Sequence, residues 1–400
     1  MKLKSRIEVL IGCLALTTAI AGRARGAGYV QTNLVTDGSD PAVTAPTIDP
    51  HLINPWGISF FPGMSPFWVS DNNAGVTTLY DGTGAPFLVA PMVPLIVEIP
   101  SPTDTTEPQN NGTPTGQVAN FFAGGGAFPI VVPGPMNTTI NTGPALFIFA
   151  TEDGTIEAWN APPFVSPGLP DPDGDFPISD DAFIVVDNSG SGAVYKGLAL
   201  GVNSIDQPQL YATNFRTGGI DVFDRNFHQV SVTGSFTDPN VQHGYAPFGI
   251  QTIGGNLWVT YAQQDEAKHD PVNKPAHGFV SVFDTDGNLL QHFTQHGHLS
   301  SPWGIALAPS DFGEFSKDIL VGNFGDGVIN AYDSASGHWL GRLSDANGKP
   351  IVNPGLWSVT FSGGAGATAM GADPDTLYIT AGLLGPTHEN AGLFAKISPK

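Results

Sequence analysis

One phrase occurs twice, as LINPWGISFFP at 52–62 and as LSSPWGIALAP at 299–309. A near-copy at that separation marks an internal repeat, and a repeat constrains a fold more than any single motif does. The same run follows each copy: PFWVSDN, VTTLYDG and LIVEIP after the first, DILVGNF, GVINAYD and HWLGRLSD after the second. Each segment is a short apolar or alternating run bounded by Gly, Pro, Asn or Asp, which is how a strand reads.

Four more units follow the pattern with drift. They begin at PTGQVANF, YKGLALG, APFGIQTI and LWSVTFS. The last shows only three strands, and YVQTNLVTD near the N-terminus is expected to supply its fourth. Four-stranded units at a period of roughly 50 residues predict an all-β, six-bladed β-propeller. The glycine after the aromatic, as in PWGI, would let the inner strand crowd the axis. The 50 glycines, 35 prolines and low charged fraction of 13% agree with many short strands and tight turns.

The propeller is expected to be one domain over 29–400. Residues 1–26 read as a secretion signal: MKLKSR supplies positive charge, VLIGCLALTTAIA a short apolar core, and Ala19-Ile20-Ala21 a cleavage pattern, with cleavage within 22–28 as the variant. The apolar run is short for a membrane span. The expected location is therefore extracellular or periplasmic, and the expected state a monomer. Cys13, the single cysteine, lies in the signal, leaving the mature chain no disulfide, thiolate nucleophile or Cys-bound zinc. A net charge of −21 argues against nucleic acid and anionic membranes.

Stacking the units aligns two columns toward one end of the axis. The first reads Trp56, Thr115, Lys196, Phe248, Trp303 and Trp357; the second reads Asp71, Glu152, Asn214, Tyr261, Asn323 and Ala381. In the second, Asp71, Glu152, Asn214 and Asn323 are hard oxygen donors of the kind that hold Ca²⁺. The plainer reading is that they hydrogen-bond local backbone. Lys196, alone among aromatics, suits a cation–π contact, neutralisation of Glu152 or Asp71, or a role as base or nucleophile.

The insertion AQQDEAKHDPVNKPAHG (262–278) carries Asp265, Glu266, His269, Asp270 and His277 and should lie over the same mouth, as a lid or as an acidic surface loop. Lys196, His269 and Asp270 are the catalytic candidates. Two further groupings stand out: His292, His296 and His298 in HFTQHGH, and the aspartates of DPDGDFPISDD (171–181). The first suggests zinc or copper, the second an acidic turn or a peripheral calcium loop. Asn111 and Asn137 fit glycosylation sequons. No GxSxG elbow, strand–helix GxGxxG or GxxxxGK occurs.

The units resemble NHL-type propellers, whose repeats join PxGIA, VxD and VFD strands. The chain is more closely similar to a family of secreted, mostly bacterial proteins, through NLVTDG, DPHLINPWGISF, FWVSDNNAGVTTLYDG, FIFATEDGTIEAWN, VDNSGSGAVYKGLAL, TYAQQDEAKHD and SPWGIALAP. That likeness implies the propeller fold and brings no chemistry with it. Gluconolactonase- and paraoxonase-like propellers hold a central Ca²⁺ with Glu, Asn and Asp, which Glu152, Asn214, Asn323 and Asp71 echo as an analogy. The amidating lyase propeller places zinc-binding histidines in its inner-strand phrases, where this chain has Trp56, Phe248 and Trp303.

The functional expectation is binding of a small molecule, glycan or partner protein at the channel face through Trp56, Lys196, Phe248, Tyr261, Trp303 and Trp357. The alternative is a Ca²⁺-dependent hydrolase of the lactonase or esterase kind, with the metal at the axis.

Overall fold

The computed structural model describes residues 28–104, 109–133, 139–160, 180–364, 367–382 and 389–400. The expected signal segment, residues 171–179 of the aspartate loop and Asn137 lie outside the described residues. Regular structure among the described residues is strand, with single-turn 3-10 helices. No helix among them is long and apolar enough to cross a membrane.

The strands form six blades of four antiparallel strands, the sixth carrying a short parallel fifth strand, Thr47–Ile48, at its edge, giving a six-bladed β-propeller. The inner strands, in order, are Pro55–Ser59, Pro114–Ala119, Tyr195–Val202, Tyr245–Ile253, Pro302–Leu307 and Leu356–Phe361. Blades 1 to 5 each take three further strands in sequence order. Blade 6 takes Leu377–Ala381 and Leu393–Pro399, and Tyr29–Thr36 then pairs with the latter from Tyr29 opposite Pro399 to Thr36 opposite Leu393. The first and last long strands among the described residues thus share one sheet.

The repeated phrase has a physical reason. In every blade the pairing of the inner strand with the next slips near the same step, which is aromatic–glycine in blades 1, 4 and 5, Thr115-Gly116 in blade 2, Lys196-Gly197 in blade 3 and Trp357-Ser358 in blade 6. Such a bulge bends the strand around the axis. The glycine permits close approach to the next blade: a Cβ on Gly249 would lie 2.0 Å from the Trp303 carbonyl oxygen, and one on Gly304 2.5 Å from that of Trp357.

A second-strand threonine then ties neighbouring blades. The Thr213 hydroxyl accepts the Gly197 N–H (2.7 Å) and donates to the Phe248 carbonyl of the next blade (2.9 Å). Thr260 does the same between Gly249 and Trp303, and Thr380 between Ser358 and Trp56. Each bond satisfies a backbone group that the bulge would leave open.

The core is layered accordingly. Apolar side chains fill each gap between neighbouring blades, such as Trp68, Phe147 and Phe149 between blades 1 and 2, or Tyr211, Ile250 and Val259 between blades 3 and 4. A further cluster sits on the axis itself, built from Trp56, Phe215, Phe248, Trp303, Phe324 and Trp357.

Candidate functional site at the axial mouth

The first column of the repeat builds a plug. Trp56 stacks on Trp357 with ring centroids 3.4 Å apart, Phe324 stacks on the other side of Trp357 at 4.1 Å, and Trp303 meets Trp56 edge-on at 5.9 Å. Trp56, Phe248 and Trp357 are at most 2% exposed and Trp303 is 8%. These rings close the axis at this level instead of lining an open channel. Tyr261 is buried too, in the layer between blades 3 and 4.

Lys196 lies on this plug. Its side chain is fully buried, with Nζ 5.3 Å from the Trp56 ring centroid and 5.9 Å from that of Phe215. Nζ hydrogen-bonds the Glu152 carboxylate and lies 3.5 Å from Asp270 Oδ1. A buried ammonium needs this compensation, because an unpaired charge on an apolar floor is costly.

The second column divides. Pairing puts Asp71, Thr151, Asn214, Tyr261, Asn323 and Ala381 at one structural position, each opposite the start of its inner strand. Glu152 is one residue further on, and a one-residue step sends a side chain to the opposite face. The residues in register point into their own blades. Asp71 Oδ2 accepts from the Thr78 N–H and hydroxyl (3.1 and 2.7 Å), Asn214 Nδ2 donates to Asp221 (3.0 Å), and Asn323 Nδ2 donates to the His298 carbonyl (2.8 Å). Asp71, Asn214 and Asn323 therefore do not meet Glu152, and the four do not form one ring of donors.

What meets Glu152 comes from elsewhere. The blade 4 insertion folds as a tight turn, with the Asp265 N–H bonded to the Asp270 carbonyl (2.9 Å) and the Asp265 carboxylate accepting the His269 N–H (2.8 Å). The turn lays His269 and Asp270 over Lys196, with His269 Nδ1 3.0 Å from Asp270 Oδ1. The hydrogen bond from His269, with Lys196 adding to it, lowers Asp270 to about 2, and the same bond raises His269. Among the described residues, Glu152, His269 and Asp270 form a group whose ligand atoms lie within 4.8 Å of one another.

Glu389 completes the mouth from blade 6. Its carboxylate accepts from Asn54 Nδ2 (2.7 Å), and burial, followed by the nearby Glu152 charge, raises it from 4.5 to about 7. Asn54 also accepts from Trp357 Nε1 (2.8 Å), which couples the acid to the plug, and it holds φ at 50°, a conformation asparagine tolerates. Asn72 Nδ2 donates to the other Glu152 oxygen at 3.0 Å. Glu389 was not among the residues expected from the sequence, although THENAG follows the second strand of blade 6 just as the insertion at 262–278 follows that of blade 4.

The remaining candidates lie apart. His292 Nδ1 pairs with Asp238 Oδ2 at 2.6 Å, His296 packs edge-on against Phe279, and His298 stacks on Trp339 at 3.8 Å. Each histidine has its own neighbour, and the three do not converge. His277 bonds the Pro275 carbonyl, and Asn111 donates to Asp104.

Comparison with known proteins bears on kinship more than on chemistry. No family model matches the chain. Uncharacterized protein L690 of Acanthamoeba polyphaga mimivirus is 32% identical over 325 residues, covering 80% of this chain and 75% of that protein. The chain belongs to its family. Uncharacterized protein R648 of the same virus is 31% identical over 315 residues, covering 77% and 68%. The sequence resemblance implied a mostly bacterial family, whereas these family members are viral.

Among solved structures, the soluble aldose sugar dehydrogenase of Escherichia coli superposes with a TM-score of 0.47 at 12% identity, covering 93% of this chain and 100% of that one. A gluconolactonase of Xanthomonas campestris gives 0.36 at 15%, covering 64% and 82%. Likenesses at this level carry no argument about the site.

Proposed function

We propose that the axial mouth binds a small hydroxyl-bearing ligand of the glycan class. The observation that supports this most is the convergence of Glu152, His269, Asp270 and Glu389, from blades 2, 4 and 6, on a buried ammonium from blade 3. Three carboxylates supply hydrogen-bond acceptors at the mouth, and Asp270 remains 64% exposed. Hydroxyl donors suit such a rim, while the plug beneath keeps the ligand at the mouth and out of the channel.

Thermal shift followed by titration calorimetry against a panel of neutral mono- and disaccharides tests the reading. Binding by the wild type that weakens about tenfold or more in Asp270→Asn and His269→Gln would support it. Binding unaffected by both variants would defeat it.

A metal-dependent hydrolase is the second reading, favoured by the grouping of Glu152, His269 and Asp270. Calcium fits this donor set poorly. It takes six to eight oxygens, and here an imidazole stands among two carboxylates that Lys196 already attends. Elemental analysis of protein purified without chelator, with melting curves before and after EDTA, separates the readings. About one metal per chain, lost together with stability on EDTA treatment, would favour the hydrolase.

A further inference from the structure

The inner strands run from the acidic mouth to the other end of the axis, where all six blades open into a funnel of about 560 Å³. Its wall is more apolar than polar: Ile58, Val118, Leu200, Ile305 and Val359 stand among the uncharged Ser59, Thr252 and Thr360. At the rim Phe121 is 63% exposed and Leu307 45% exposed. The chain carries 15 basic and 36 acidic residues, yet among the described residues no ionisable side chain lines this cavity.

The funnel is blind. Its floor narrows to the collar of Gly57, Gly116, Gly249 and Gly304, around a space of about 30 Å³ that Trp303 also lines. A space of that size takes roughly one or two waters. The floor carries two glutamines with different duties. Gln117 is committed: its Nε2 donates to the carbonyls of Gly57 and Trp68 (2.8 and 2.9 Å), and its Oε1 accepts from Ser59. Gln251 is exposed at the cavity surface.

We propose that this funnel is a second binding site, for an uncharged and predominantly apolar small molecule that presents a carbonyl or hydroxyl to Gln251. The volume falls within the range that encloses a drug-sized molecule. The blind floor limits the occupant to a compact body, and the uncharged lining gives an ionised ligand nothing to replace its hydration. The inference is independent of the reading of the acidic mouth.

The test uses 6-propionyl-2-dimethylaminonaphthalene, an uncharged fluorophore with one ketone, titrated into the full chain. Saturable one-to-one binding with blue-shifted emission is expected. Leu307→Arg, which places a charge at the rim, should weaken binding about tenfold or more. Gln251→Leu should weaken it about threefold through loss of the donor. Both side chains are exposed, and melting curves verify that the variants fold. Met92→Arg replaces a side chain that is 90% exposed outside the funnel and should leave binding unchanged. Absence of saturable binding, wild-type affinity in Leu307→Arg, or an equal loss in Met92→Arg would overturn the proposal.

Discussion

Lys196 is the residue on which the mouth depends. It is the charged member of the first repeat column, wholly buried and held between aromatic faces and two carboxylates. Replacing it with methionine keeps the volume but strands Glu152, so Lys196→Met should cost about 3 kcal/mol in chemical denaturation. Adding Glu152→Gln should recover much of that loss, and a double-mutant cycle reads the coupling. Two acids make pH predictions. Glu389 is raised from 4.5 to about 7, so its contribution to stability is complete below about 4.5 and disappears as the pH rises through about 7. Glu389→Gln should flatten that part of the melting-temperature profile. Asp71 is fully buried and burial raises it well above 3.8, which gives the same sign over a window that opens near pH 4. Asp71→Asn should remove the associated fall in melting temperature toward alkaline pH. A variant that falls as steeply as the wild type would show that the group does not titrate in this way.

At the level of the blade, bulge, glycine and threonine work as one joint. The glycine lets the strands approach, the bulge turns the strand along the axis, and the hydroxyl satisfies the polar groups so exposed. Gly249→Ala forces a methyl against the Trp303 carbonyl, 2.0 Å from the ideal Cβ, and should destabilise by about 3 kcal/mol. Thr260→Val keeps the shape and removes the inter-blade bond, for which about 1 kcal/mol is expected. Urea unfolding would rank the two, and a reversed order would count against steric crowding as the reason for the glycine. A second device recurs inside the blades, where the residue ending strand two faces strand three two positions beyond the residue paired with it. Asp71 meets Thr78 and Asn214 meets Asp221, while blade 2 inverts the roles, with Thr151 reaching Glu157 through Thr155. Blade 6 uses Ala381 and Ala395 and leaves the position apolar. Pairing across strands accounts for the acidic and amide column without a metal.

For the whole molecule, closure is the decisive feature. Tyr29–Thr36 is the outermost long strand of blade 6, and Tyr29 also buries its ring against Phe312 and Phe315 of blade 5. Removing residues 28–36 should therefore expose the edge of Leu393–Pro399 and abolish a single cooperative unfolding transition, measurable by calorimetry. Retention of one sharp transition near the wild-type temperature would mean that the ring closes without this strand.

The number of blades, their strand content and closure by the N-terminal strand were all legible from the chain alone. Period-two patterning, turn residues and a repeated glycine are local signals, and a repeat multiplies them. The aromatic column was legible as a column, but its burial was not, since only packing decides whether rings set around an axis line a channel or fill it. The acidic column misled through a slip of one residue at Glu152, which in a strand reverses the direction of the side chain. Glu389, His269 and Asp270 reach Lys196 through loops whose path depends on neighbouring blades, and the funnel's uncharged lining is a property of six strand ends that no single segment carries. Local pattern determined the blades. The convergence of residues at each end of the axis belongs to the ring, because it exists only once all six blades have closed.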